Sequence, residues 1–109
     1  MSVRLNLLRV YLKEDPFDEF LKYALALEYK SLGRIEEAYA ELKSLIEISP
    51  EYLAAYYMTA KYAEELHFPT EALMWYEKGI QKAIEQNNAH TLAELRSALN
   101  MLKDEMSDE

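Results

Sequence analysis

The stretch GRIEEAYAELKSLIEISP, residues 33–50, decides the fold that this chain is expected to adopt. It opens with one of two glycines and closes with one of three prolines, and the residues between them favour a helix. Gly33 follows the last apolar residue of a helical pattern, where a left-handed residue ends a helix at little cost and lets the chain reverse. Ser49 with Pro50, like Asp15 with Pro16, predicts an N-cap followed by the first residue of a new helix. The stretch therefore predicts one helix held between two neighbours.

The chain also repeats itself at a fixed period, which equals the separation between Pro16 and Pro50. Shifting the sequence by that period superposes identical residues, namely Pro16 on Pro50, Tyr23 on Tyr57, Ala26 on Ala60, Leu32 on Leu66, Glu37 on Glu71, Ala38 on Ala72 and Ile46 on Ile80. The same register extends backwards and aligns three columns, which are Leu5, Tyr39, Leu73; Leu8, Leu42, Tyr76; and Leu12, Ile46, Ile80. The first helical segment therefore corresponds to half a repeat.

Apolar periodicity divides the chain into six predicted helices. Their approximate ranges are 3–14, 17–32, 35–48, 51–66, 70–86 and 90–104. Ala38 and Ala72 lie near the starts of equivalent helices, where small side chains let two helix axes approach closely. The last helix carries a single leucine stripe, and Thr91 with Glu94 predicts a capping box at its start.

Residues 23–50, YALALEYKSLGRIEEAYAELKSLIEISP, resemble a tetratricopeptide repeat, a helix-turn-helix unit whose length matches the period of this chain. The positions that match its packing pattern are Leu25, Ala26, Tyr29, Gly33, Ala38, Leu42, Leu45 and Pro50. A second copy, residues 53–84, keeps Tyr56, Ala60, Ala63, Ala72 and Tyr76. It has His67 in place of the turn glycine and Ile84 in place of the proline.

The resemblance implies an all-α fold of tetratricopeptide-type helix-turn-helix repeats. This is an α-solenoid of about two and a half repeats with a C-terminal capping helix. At 109 residues we expect one domain with a single core. Its expected parts are an N-terminal half-repeat helix at 1–15, repeats at 16–50 and 51–86, a capping helix at 88–104 and a solvated, frayed acidic tail at 105–109.

Composition disfavours several classes of function. The net charge of −8, from 12 Lys and Arg against 20 Asp and Glu, argues against nucleic acid as a partner. The apolar run at residues 23–27 is far too short to cross a membrane. The chain contains no cysteine, and its first residues lack the features of a signal peptide, so we expect a cytoplasmic protein.

Catalytic and metal-binding patterns are also missing from the sequence. His67 and His90 fall in different predicted elements, and neither has a partner at metal-ligand spacing. No glycine-rich phosphate loop or nucleophile elbow occurs. We therefore expect no cofactor and no metal, and we predict that the protein is not an enzyme.

The second predicted helix is apolar almost all round, whereas a surface helix needs one apolar stripe. In the tetratricopeptide family the first helix of each repeat lines a concave groove that binds a peptide or a partner helix. The resemblance places eight groove positions in this chain, which are Phe20, Tyr23, Leu27, Lys30, Ala54, Tyr57, Lys61 and Glu64. Aromatic rings beside lysines suit an apolar segment that carries some negative charge. Lys30 and Lys61 lack the Asn and Arg that accompany lysine in carboxylate-clamping relatives, so no such clamp is predicted.

Two alternatives to this protein-interaction function stay open. The exposed apolar face could pair with a second copy in a homodimer, with Met74 and Trp75 on the outer side of the fifth helix as further contacts. The protein could instead be a small tetratricopeptide-type chaperone for an amphipathic client segment.

Other tyrosines are expected to be core residues, namely Tyr29, Tyr39, Tyr56 and Tyr76.

Overall fold

The computed structural model describes residues 2–108 and consists of six helices joined by short turns. The helices are α1 (Val3–Glu14), α2 (Glu19–Ser31), α3 (Ile35–Ile48), α4 (Ala54–Glu65), α5 (Pro69–Glu85) and α6 (Ala89–Ser107). No strand occurs among the described residues, and the predicted all-α fold is confirmed. The predicted bounds of α1 and α3 match the observed bounds, whereas those of the other helices differ by up to three residues at an end.

At their starts, α2 and α4 begin two and three residues later than predicted. Asp18 caps α2, since its Oδ1 accepts a hydrogen bond from the Leu21 amide at 2.8 Å. The prediction that Asp15 and Pro16 start this helix is wrong, because both lie in a turn in which the Asp18 amide donates to the Asp15 carbonyl. Likewise, Pro50 lies in a turn, and α4 begins four residues later at Ala54.

The last helix differs from its prediction at both ends. Asn88 is its N-cap, and its Oδ1 accepts from the Thr91 amide at 3.0 Å, so the predicted capping box of Thr91 and Glu94 is wrong. Thr91 lies inside the first turn of α6 and is too late to cap it. Residues 105–107, predicted as part of an acidic tail, continue α6. The outer limits of the predicted terminal segments, Met1 and Glu109, lie outside the described residues.

Three helices end in the same left-handed turn. Gly33 after α2 has φ +78°, His67 after α4 has φ +64° and Asn87 after α5 has φ +55°. Each turn has two bonds that reach back to the helix; after α2 the Gly33 amide donates to the Lys30 carbonyl and the Arg34 amide to the Tyr29 carbonyl. This pair of bonds defines a Schellman motif. The predicted turn at Gly33 is confirmed, and His67 adopts its geometry without a glycine.

The chain forms two compact units, one ending at Ala55 and one beginning at Tyr56. In the N-terminal unit, α1 packs on α2, and α2 packs on α3. Its core side chains come from all three helices and include Leu5, Leu8, Leu25, Ala26, Ala38, Leu42 and Leu45. Ala38 is fully buried, as its predicted role in close helix packing requires. The prediction of a single domain stays a prediction.

In the C-terminal unit, α5 packs against both α4 and α6. The approach is closest at Gly79 on α5, where an added Cβ would lie 2.8 Å from the Tyr56 Cβ and 3.2 Å from both Leu95 methyl carbons. Ala72 and Tyr76 on the same helix are fully buried. Glycine at this position therefore lets three helices pack together.

The core positions predicted for four tyrosines are confirmed. Tyr29, Tyr39, Tyr56 and Tyr76 are buried, and Tyr62 is a fifth core tyrosine that the sequence pattern did not single out. The prediction that Trp75 lies on an outer face is wrong, since its indole is buried and the Lys78 ammonium lies 5.2 Å from the ring centroid. Within residues 2–108, no helix combines the length and apolarity that crossing a bilayer requires.

Candidate functional site

The predicted groove residues of the first repeat share one face of α2. Phe20, Tyr23, Leu27 and Lys30 recur at intervals of three and four residues, which places them along one side of a helix. Phe20 is 69% exposed and Leu27 is also exposed, whereas Tyr23 and Lys30 are half-buried. This side of α2, termed the α2 face, therefore presents accessible aromatic and aliphatic surface.

Tyr52 adds a ring to the α2 face that the sequence did not indicate. Its centroid lies 5.7 Å from that of Tyr23, with the planes tilted by 46°. Burial raises the pKa of the Tyr23 hydroxyl, with a smaller contribution from Tyr52. Burial also raises the pKa of Tyr52, helped by the negative charges of Glu19 and Asp18. Tyr52 lies in the turn before α4. Only the packing of that turn against α2 brings its ring next to that of Tyr23.

In the C-terminal unit, Tyr57 and Lys61 of α4 line an open groove of about 390 Å³ whose other wall is α6. The α6 side chains in this α4/α6 groove are His90, Ala93, Glu94, Ser97, Ala98 and Met101. Met101 is 61% exposed, so a flexible apolar side chain faces solvent here. The small residues Ala93 and Ser97 leave room for a bound backbone to approach the helix.

Electrostatics of this groove come from a few side chains. The Lys61 ammonium lies 5.7 Å from the Tyr57 ring centroid, within the range of a cation–π contact. The Tyr57 ring itself packs edge-on against Tyr76 at 6.2 Å between centroids. At the rim, His90 Nε2 lies 3.5 Å from a Glu94 carboxylate oxygen. The groove thus contains the Tyr57 ring, which packs against Tyr76, and the Lys61 cation beside that ring.

Glu64 and Ala54, the remaining predicted groove residues, are not among the side chains that line the α4/α6 groove. Glu64 lines a second cavity of about 350 Å³ with Leu102 and Glu105, and its carboxylate accepts a hydrogen bond from the Tyr76 hydroxyl. Burial, followed by this hydrogen bond, raises the pKa of Tyr76 well above its usual range. Ala54 is exposed at the first residue of α4. Of the second-repeat set, the structure brings together Tyr57 and Lys61 in one groove.

Sequence reasoning missed the contribution of α6. That helix was interpreted as a cap because of its leucine stripe, and Leu95, Leu99 and Leu102 are buried as the stripe predicts. The signal for a second role was present in Ala93, Ser97 and Met101, which recur every four residues on another side of the helix. Small side chains at the first two of these positions leave space beside the helix, and all three residues line the α4/α6 groove.

Among the described residues, no group of three or more His, Cys, Asp or Glu side chains is arranged to hold a metal ion. His67 and His90, the two histidines of the chain, lie in the turn after α4 and in the first turn of α6.

Solved structures similar to this chain identify its family. A tetratricopeptide repeat domain protein from Salinibacter ruber is 32% identical, with 80% of this chain and 88% of that chain aligned at a TM-score of 0.77. No family model matches the sequence, and no curated protein matches it. The identity to the Salinibacter domain and the shared helical fold show that the chain belongs to the tetratricopeptide repeat family.

Two more distant structures share the fold. The type III secretion translocator chaperone SycD of Yersinia enterocolitica is 10% identical over 94% of this chain and 72% of that chain, with a TM-score of 0.86. The first TPR of Spaghetti (RPAP3), solved bound to an HSP90 peptide, is 19% identical over 94% and 77% of the two chains, with a TM-score of 0.79. Their similarity extends the fold assignment to nearly the whole chain.

Proposed function

We propose that this protein is a non-catalytic interaction module that binds a peptide or a partner helix through the first helices of its repeats. The observation that carries the proposal is the α4/α6 groove, where Tyr57, Lys61 and Met101 surround a floor of small residues. The groove combines an aromatic ring and an exposed methionine with polar and charged side chains, which suits a ligand segment that has both apolar and charged side chains. The α2 face of the N-terminal unit supplies a second accessible apolar surface of the same type.

The chemistry of these surfaces defines the ligand. Tyr57 and Met101 suit an apolar anchor, since aromatic rings bury large area at low entropic cost and methionine adapts its shape. Lys61 beside the ring suits a carboxylate of the ligand. The ligand is therefore an apolar segment with negative charge. That the α2 face and the α4/α6 groove line one continuous groove, with Ala54 and Glu64 among its residues, stays a prediction.

The family supports a polypeptide ligand. A relative of the same fold has been solved with an HSP90 peptide, and another is a chaperone of a secretion translocator. Because Lys30 and Lys61 lack accompanying Asn and Arg groove residues in the sequence, we propose binding through side chains of the ligand rather than through its terminal carboxylate. A cytoplasmic location and the chaperone alternative stay predictions.

The test compares capture of proteins from a cell extract by the immobilised wild type and by surface variants. Met101→Glu and Tyr57→Ala are each expected to weaken capture of the same proteins by about tenfold, because each removes an apolar anchor. Met101→Glu is the cleaner variant, since this side chain is exposed and its replacement leaves the core unchanged.

Met74→Glu is the matched control, because Met74 is an exposed methionine on α5 outside the groove lining. Capture that survives Met101→Glu and Tyr57→Ala alike would rule out the groove as the binding site. Loss of capture in the Met74 variant as well would point to a general effect of added charge. Circular dichroism of each variant separates lost binding from lost helix.

Self-association is a second candidate, favoured by one observation. Phe17, in the turn before α2, is 70% exposed and Phe20, in the first turn of α2, is 69% exposed, and large exposed apolar side chains close together often mark an interface between proteins. If this face pairs with a second copy, light scattering over a concentration series will show a dimer that Phe20→Glu dissociates. A monomer at all concentrations would exclude it and leave the α2 face free for another polypeptide.

A further inference from the structure

Methionine supplies all the sulfur of this chain, which contains five methionines and no cysteine. Peroxides oxidise a methionine thioether to the sulfoxide, and cellular reductases reverse that reaction. Among the methionines that the structure describes, Met101 is 61% exposed and Met74 is 38% exposed, whereas Met58 and Met106 are half-buried. Met101 is therefore the described methionine that a dissolved oxidant reaches most readily.

The neighbours of Met101 along α6 leave its thioether open to solvent. Residues three and four positions apart are neighbours on a helix surface. On the N-terminal side these neighbours are Ser97 and Ala98, whose side chains are small. On the C-terminal side they are Asp104 and Glu105, which are exposed. Small and charged neighbours give the sulfur little apolar cover along its own helix.

Oxidation of Met101 changes the surface of the C-terminal unit and spares its core. The side of α6 that packs into the core carries Leu95, Leu99 and Leu102, which are buried. A sulfoxide at a core position would disrupt the packing, because it converts an apolar side chain into a polar one. At the exposed Met101 the new oxygen stays in water. We therefore expect the oxidised chain to keep its helices.

The same side chain lines the α4/α6 groove, together with Tyr57 and Lys61 of α4. In its reduced form, a flexible thioether adapts its shape to an apolar part of a ligand. In the oxidised form, the sulfoxide oxygen is a hydrogen-bond acceptor that loses water when an apolar group covers it. Burying a polar group without a hydrogen-bond partner costs free energy. Oxidation therefore weakens the apolar contact that Met101 offers to a ligand.

We propose that Met101 is a redox-sensitive residue of the α4/α6 groove, and that its oxidation by a peroxide weakens ligand binding there. This inference rests on the proposed binding function of the groove. With hydrogen peroxide, the sulfur lone pair attacks one peroxide oxygen, an S–O bond forms, the O–O bond breaks and water leaves. The sulfur loses two electrons and the peroxide gains them. A methionine sulfoxide reductase returns two electrons from thiols and restores the thioether.

The first measurement locates the oxidation without any ligand. The full chain is treated with hydrogen peroxide for increasing times, digested with trypsin and analysed by mass spectrometry. Cleavage after Arg96 and Lys103 places Met101 alone in residues 97–103, and each other methionine falls in a different peptide. We expect Met101 to be oxidised faster than Met74 and the half-buried methionines, with an unchanged circular dichroism spectrum. Slower oxidation of Met101, or loss of helix, would overturn the proposal.

The second measurement follows binding of a fluorescent synthetic peptide that has a leucine face, flanking glutamates and no methionine. Fluorescence anisotropy gives its affinity for each variant before peroxide treatment and after the peroxide has been removed. For the wild type we expect a loss of about threefold or more, which methionine sulfoxide reductases reverse. Met101→Leu has no sulfur at this position, so the ratio of its two affinities should stay near one. Met74→Leu is the matched control and should show the wild-type loss.

Untreated Met101→Glu separates failure of the groove from failure of its regulation. If the untreated wild type does not bind the peptide, or if binding survives Met101→Glu, the proposed groove is wrong and its regulation with it. If Met101→Glu abolishes binding but the oxidised wild type binds as tightly as the untreated chain, only the redox role is overturned. An equal loss on oxidation in Met101→Leu would overturn it as well, because another residue would then be responsible.

Discussion

The two repeats place their glycines at different points of the same framework. In the first, glycine occupies the turn at Gly33, and the position in the following helix holds Leu45. In the second, the equivalent turn residue is His67, and the equivalent helical residue is Gly79. Both turns nevertheless have positive φ and the same pair of backbone bonds. A turn with positive φ accepts a residue with a side chain at a modest cost in stability. The narrow space between two packed helices limits the size of a side chain much more strictly.

Leu45→Ala should produce the largest effect within this comparison. The side chain is fully buried, so its truncation leaves a cavity in the N-terminal unit. We expect the free energy of unfolding to fall by about 3 kcal/mol, measured by urea denaturation with far-ultraviolet circular dichroism. Ile48→Ala on the same helix is the control, since Ile48 is exposed and should cost less than about 1 kcal/mol. Equal losses would show that Leu45 is not a core residue.

Gly79→Ala tests the opposite change of volume at the equivalent position. The new Cβ would lie 2.8 Å from the Tyr56 Cβ, which forces α4 and α5 apart. Overpacking costs about 1–3 kcal/mol, and the better helix propensity of alanine offsets about 1 kcal/mol of it. We therefore expect a net loss of about 0–2 kcal/mol in the same assay.

Gln81→Ala, on an exposed position of α5, should change stability by less than about 0.5 kcal/mol. If Gly79→Ala stabilises the protein, the propensity gain exceeds the steric cost, and the close approach is softer than the distance implies.

Tyr76→Phe separates the units by their response to alkali. The position equivalent to Tyr76 in the first repeat is Leu42, which has no ionisable group. Burial and the Glu64 carboxylate raise the pKa of the Tyr76 hydroxyl above that of an unfolded tyrosine, which is about 10. The unfolded chain thus ionises first, so the stability contributed by the neutral hydroxyl is complete below pH about 10 and is lost as the pH rises towards the folded pKa.

We expect Tyr76→Phe to cost about 1–2 kcal/mol at neutral pH, because Glu64 loses a hydrogen-bond donor, and to reduce the alkaline loss of stability. Tyr23 and Tyr52, whose pKa values are also raised, keep part of that loss. Urea denaturation at neutral and alkaline pH measures both effects. Tyr11→Phe is the control because Tyr11 is exposed on α1. An unchanged alkaline slope in the Tyr76 variant would contradict the assigned role of its hydroxyl.

Substitutions of the two turn residues, Gly33 and His67, should change the stability least. Gly33→Ala meets no neighbouring atom within 4 Å, so its cost of about 1 kcal/mol comes from the positive φ alone. His67→Gly removes that backbone strain but raises the conformational entropy of the unfolded chain. We expect the free energy of unfolding to increase by about 0.5 kcal/mol in total. Thermal unfolding of the two variants and of the wild type gives both signs. A destabilising His67→Gly would show that the imidazole contributes contacts that offset its backbone cost.

The fold could be predicted from sequence because its signals are local and repeated. The repeat period, the glycine in one turn and the apolar columns predicted six helices with nearly correct bounds. The helix starts were harder to predict. More than one polar residue near the start of a helix can act as its N-cap. The observed N-caps are Asp18 rather than Asp15, and Asn88 rather than Thr91. A capping side chain is decided by the path of the turn, which residue type alone does not determine.

The proposed binding surfaces were predictable only in part. The exposed position of Phe20 and Leu27 follows from helical spacing, once the core side of α2 is known. Glu64 has the correct spacing from Tyr57 and Lys61 but hydrogen-bonds to Tyr76, a residue on another helix. Met101 and Tyr52 join their surfaces through packing between segments distant in sequence. Spacing assigns a residue to a side of its own helix and says little about which other helix that side meets.

The sequence by itself determined the all-helical class, the repeat length and the core alanines and tyrosines, because backbone propensity and periodic burial act over a few residues. Only the tertiary structure decided that Trp75 is buried, that α6 forms one wall of a groove and that Val3 and Val10 of α1 are exposed. Those outcomes depend on the neighbours a helix acquires after folding. Intrinsic propensity is a property of the segment, whereas exposure is a property of everything packed around it.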